Sequence, residues 1–204
     1  MGLMKQAYDT YCTLEAKYCG VYGSENEPLV PVSHQIAKAE IEITLNADGQ
    51  LLDARQVGKD EAAIIMPVTE ASAGRTGDTS CAHPLCDQIR FLSPQYPQKY
   101  EAYLTQLHKW ENSPYGHPKL HAVARYVEKG TILEDMERLG IFTRDKDGLA
   151  PQKGKQVVCW RVDSGKMDEV TACWKDRTLF RSFIDYYAST KPVSYTHLTL
   201  PTKR

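Results

Sequence analysis

No stretch of this chain approaches the roughly 18 consecutive apolar residues that cross a bilayer as a helix. Its first ten residues, broken by Lys5, Gln6 and Asp9, do not form the apolar run of a secretory signal. Neither sign of charge dominates, since 25 Lys and Arg face 26 Asp and Glu for a net charge of -1. That balance argues against a generally basic nucleic-acid binder, but leaves room for a local basic face or a subunit that borrows its field from partners. Internal repeats and low-complexity tracts are missing, as are the Gly-Lys-Ser/Thr ending of a phosphate-binding loop and a dinucleotide fingerprint. What remains is a non-membrane chain, expected in the cytoplasm, with enough apolar residues (42%) to build one core. In that compartment its six cysteines are expected to stay reduced.

Periodicity outlines the fold. Tyr8, Tyr11, Leu14 and Tyr18 share a helical stripe over Tyr8–Tyr22. Ile41, Ile43 and Leu45 alternate with Glu40, Glu42 and Thr44, and Asp48-Gly49 marks a hairpin turn to a partner strand over Gln50–Gln56. Ala62–Val68 reads as a buried strand, and Gln156–Val162 as another. Helices are predicted over Tyr100–Trp110, from Pro118 onward, over Ile132–Leu139 and over Trp174–Ala188. The expectation is an α+β fold: an N-terminal antiparallel sheet or hairpin with helices packed on it, then a mostly helical region.

Pro67–Asp87 is a long polar loop, and such loops inside compact domains usually carry function or are disordered. Its Ser72-Ala73-Gly74-Arg75-Thr76-Gly77 core sets an arginine among small residues that let backbone approach a groove or phosphate. A solvated surface turn is the plainer alternative. Cys81, His83 and Cys86 suggest a zinc site, but a structural site wants two close pairs and Cys12 and Cys19 are spaced too widely. The same cysteines with His34, His83 or His117 would make a thiol nucleophile if a base lay beside them in space. Buried or incidental thiols are favoured, and Leu85–Ile89 reads as a short helix opened by Pro84. Lys119, Arg125, Lys129, Lys175, Arg177 and Arg181 read mainly as solvated faces.

The ordered segments carry more. Tyr8-Asp9-Thr10-Tyr11, Pro28–Val32, the Ile41/Ile43 hairpin, Ile64–Glu70, Ser72–Thr76 and His83–Asp87 come first; Tyr100–Leu104, Ser113–Tyr115, His117–Lys119 and Tyr126–Thr131 follow. In this order they resemble the large subunit of the type I-C CRISPR interference complex, Cascade. The resemblance implies a non-catalytic, DNA-binding subunit of an RNA-guided antiviral surveillance complex. Such a subunit reads the motif beside the target, aids R-loop formation, and has target duplex, the guide-RNA complex and a separate helicase-nuclease as partners. It implies no cofactor or metal. It also points to Ser72, Gly74, Arg75 and Thr76 as DNA contacts, with Lys119 and Arg125 behind them. A thiol-dependent enzyme and a zinc-stabilised interaction module remain the alternatives.

Residues 1–192 are expected to form the N-terminal portion of such a subunit. Val193–Arg204 breaks the helical periodicity and reads as a non-native, adapter-derived tail, so the natural protein is expected to continue beyond it.

Overall fold

The computed structural model describes residues 30–191, together with the isolated helical positions Gln6, Thr10 and Thr13. The helix expected over Tyr8–Tyr22 lies otherwise outside the described residues, as does the tail over Val193–Arg204. The first strand, β1 (His34–Lys38), was not foreseen, and it leads into β2 (Ile41–Asn46). The alternating residues Ile41, Ile43 and Leu45 are all buried, as their spacing predicts. Asn46 builds the turn after β2 by accepting, through Oδ1, from the Asp48 and Gln50 amides at 3.0 and 2.8 Å. The chain then returns as β3 (Leu51–Gln56). Gly49 takes φ +71°, and a Cβ there would lie 2.5 Å from the Ala122 carbonyl oxygen, so only glycine fits this close approach.

β4 (Ala63–Pro67) pairs antiparallel with β1 as a separate two-stranded sheet. The other sheet has the order β3-β2-β5, in which β5 (Val158–Asp163) runs parallel to β2. The α+β expectation holds, with this parallel pairing added to the N-terminal hairpin. Helices α1 (Glu70–Ala73), α2 (Ile89–Leu92), α3 (Pro97–Glu111), α4 (Pro118–Glu128), α5 (Ile132–Arg138) and α6 (Arg177–Thr190) complete the described elements with two 3-10 turns, Pro151–Gly154 and Cys173–Lys175.

Two expected boundaries move. Trp174 sits in the second 3-10 turn, because Asp176 caps α6 by accepting from the Thr178 and Leu179 amides. Residues 84–86 form a bend, and α2 starts only at Ile89. The helix expected from Pro84 is ruled out by Asp87, whose carboxylate takes the amides of His83 and Gln88, both at 2.7 Å.

The core joins both sheets to α3, α4 and α6. Trp160 of β5 lies edge-on to Tyr126, and its indole Nε1–H donates to the Leu85 carbonyl at 3.0 Å. The buried Tyr103 hydroxyl donates to the same carbonyl at 2.6 Å. The long loop is therefore tied to the centre of the molecule at Leu85.

His34 is buried against Phe180 and Phe183, with ring centroids 5.0 and 5.6 Å away. Its Nδ1–H meets the Val32 carbonyl, while Nε2 has no partner. Burial pushes its pKa from 6.5 down to about 4, against the Val32 hydrogen bond, and burial does the same to His83. The unfolded chain therefore binds protons that the fold refuses. The histidine contribution to stability should be full above about pH 6.5, fall as pH drops towards about 4, and change no further below. A melting-temperature series across that window should show this slope, and His34→Met should reduce it. An identical slope in the variant would remove His34 as a contributor.

Candidate nucleic-acid interface

The polar loop is an ordered structure built on two anchors. At its start, Thr69 Oγ1 accepts from the Ser72 amide at 3.1 Å while Ser72 Oγ accepts from the Thr69 amide at 2.9 Å. This reciprocal capping box begins α1 and consumes Ser72, which is buried. Gly74 ends the helix and is exposed, as is Thr76.

The second anchor is Arg75. Its guanidinium forks onto Asp87, with Nη2–Oδ1 at 2.6 Å and Nη1–Oδ2 at 2.9 Å, and Nη1 also donates to the Cys81 carbonyl at 2.8 Å. It lies 4.5 Å over the Phe91 ring and its side chain is only 8% exposed. The arginine expected to reach a groove or phosphate is thus a bidentate, stacked guanidinium engaged in holding the loop. Lys119 is likewise engaged within the fold. It is buried in the first turn of α4, where its ammonium donates to Asp176 and to the Val170 carbonyl. Arg125, on the same helix, is exposed but lines none of the cleft described next.

Beside Arg75 opens a cleft of about 830 Å³. Arg75 and Gly77 line it from the loop, Arg90 from α2, Lys99 from α3, Lys153 from the first 3-10 turn and Lys155 from the residue that follows it. That turn has an unusual backbone. Gln152 and Lys153 take φ 54° and 56°, left-handed values that disfavour side chains by roughly 1–2 kcal/mol each. Neighbouring contacts hold it there: the Gln156 carbonyl accepts from the Ile89 amide at 3.0 Å, and Gly154 packs where a Cβ would come within 3.0 Å of Arg90 Cβ. Both lysines are exposed. Asp78, Asp145 and Asp147 also line the cleft, so it carries both signs with cations in excess. Asp145 is engaged in its own turn, where Oδ1 accepts from the Asp147 and Leu149 amides.

Sequence reading thus found the loop but not its partners. Arg90, Lys99 and the Lys153-Gly154-Lys155 run had signals in plain view, a lysine pair astride a glycine among them. Nothing local said that they converge. The thiol reading also meets the geometry. Burial pushes the Cys86 thiol well up and Cys173 up to about 12, the reverse of an activated nucleophile, and burial raises Cys159 as well. Cys12 and Cys19 lie outside the described residues. Among the described residues no group of three or more His, Cys, Asp or Glu side chains is placed to hold a metal ion. No described helix is long and apolar enough to cross a membrane.

Comparison with known proteins gives one match and one blank. Residues 8–199 match the family model described as CRISPR-associated protein (Cas_Csd1). No curated protein matches the chain.

Proposed function

We propose that this chain, which belongs to the Cas_Csd1 family of CRISPR-associated proteins, is a non-catalytic, DNA-binding subunit of a type I-C Cascade. In this reading it engages the duplex beside the target and aids R-loop formation while the guide RNA supplies sequence specificity. The observation that carries the reading is the cleft between the Gly74–Asp78 loop and the 3-10 turn, where Arg90, Lys99, Lys153 and Lys155 converge from three parts of the fold. A chain of net charge -1 has little general attraction for DNA, so a local concentration of cations is the feature that favours a backbone contact.

The roles divide by exposure. Lys153 and Lys155 supply charge to phosphates, and exposed Thr76 and the backbone at Gly74 and Gly77 allow close approach. Arg75 positions the loop from beneath. The target duplex, the guide-RNA complex and a helicase-nuclease are the partners this role requires. A Lys153→Ala, Lys155→Ala variant assembled into the complex should bind target duplex more weakly and lower the slope of log affinity against log salt by about 1 per lysine. An unchanged slope would sink the assignment of this cleft to DNA.

A further inference from the structure

Asp78 is the odd member of the cleft. Its side chain is 76% exposed, yet Oδ1 accepts from both Arg90 Nη1 at 2.8 Å and Lys99 Nζ at 2.9 Å. Those two cations are themselves withdrawn from solvent, with side chains 9% and 15% exposed. We infer that Asp78 is a built-in stand-in for a phosphate: it neutralises Arg90 and Lys99 in the free protein and is displaced when a backbone phosphate enters the cleft. The inference rests on the nucleic-acid reading of this cleft and adds a regulatory element to it.

Three observations support the exchange. First, two sequestered cations without an anion would be expensive, so an occupant of negative charge is required in either state. A phosphate brings more acceptor oxygens than a carboxylate and can give each cation one of its own. Secondly, Asp78 follows Gly77, which has φ +72° and open space where a Cβ would stand, and Gly74 also has open space there. Arg75 anchors the chain three residues earlier through Asp87, so Asp78 can swing outward without disturbing the core. Thirdly, Lys155 acts on Asp78 electrostatically and Lys153 lines the same cleft. An entering anion therefore meets further positive charge, while a departing carboxylate meets water.

The chain carrying Asp78→Asn is compared with the parent using two probes. Pyrophosphate alone reports the anion site through the melting temperature. A short labelled DNA duplex reports the nucleic acid, with the Lys153→Ala, Lys155→Ala variant alongside. The expected result is a larger pyrophosphate-induced stabilisation in Asp78→Asn and duplex affinity roughly two- to fivefold tighter, the range set by losing one exposed competing ion pair. Equal pyrophosphate responses and equal duplex affinities in Asp78→Asn and parent would overturn the inference, even if the lysine variant weakens duplex binding. If Asp78→Asn gains pyrophosphate response while neither variant alters duplex binding, the anion exchange stands and the DNA reading of the cleft falls.

Discussion

Replacing Asp87 with alanine should lower the unfolding free energy by about 3–5 kcal/mol, the range for breaking a buried charge pair from one side. The carboxylate is fully buried and accepts from four donors: both terminal guanidinium nitrogens of Arg75 and the amides of His83 and Gln88. Alanine leaves Arg75 Nη2 and the two amides without that acceptor, with Nη1 keeping only the Cys81 carbonyl, and strands a cation over Phe91. Urea denaturation would measure the loss, and a change below about 1 kcal/mol would mean that water replaces the carboxylate without difficulty. Arg75→Ala serves as the second corner of a double-mutant cycle. A coupling energy near zero would show that the fork contributes nothing beyond its separate members. Any effect of Arg75→Ala on DNA binding must then be compared with this loss of structure. Weakened binding alone would not make Arg75 a contact.

The Lys119–Asp176 pair should give the second large effect, and an asymmetric one. Asp176 is buried, and although burial opposes ionisation, hydrogen bonds from Lys119 and Thr178 hold its carboxyl below the usual range. It also caps α6 through Oδ1, so Asp176→Ala removes the cap and leaves the Lys119 ammonium buried against the Val170 carbonyl and a more distant Glu169. A loss of about 3–5 kcal/mol is expected. Lys119→Met removes the cation but retains an apolar stem, and Asp176 still receives the Thr178 hydroxyl at 2.6 Å and its helix amides. That variant should be less destabilised than Asp176→Ala by at least 1 kcal/mol, roughly the worth of the cap. Equal losses would indicate that the cap is unimportant and that the pair acts as a single unit.

These two sites also show where sequence reading stops. The β2–β3 hairpin was legible because its signals are local: a two-residue alternation and an Asp-Gly turn. Helices α3 to α6 were legible from stripes that one face must bury. β1 was not, because its polarity is inverted, with His34 buried and Ile36 exposed. The parallel pairing of β2 with β5 joins segments far apart in the chain, and no local pattern encodes it. Alternation puts Glu42 on the face opposite Ile41, Ile43 and Leu45, yet it is buried because Arg55 and Arg161 enclose it at 2.7 Å each. The surroundings of the candidate residues were hidden in the same manner. Arg75 and Asp87 were both visible in the loop, but composition cannot say whether an arginine faces solvent or a carboxylate twelve positions on. Lys119 looked like one of many surface cations until a helix cap from the other end of the chain reached it.

The carbonyl of Leu85, shared by the Trp160 indole and the Tyr103 hydroxyl, has a kinetic consequence. Both donors are fully buried in the core, so the segment that carries Asp87, and through it Arg75, opens only when that core opens. The wall of the cleft is therefore preformed. If the cleft takes a nucleic-acid strand as proposed, that strand would have side chains to order, Asp78 among them, against a wall already in place.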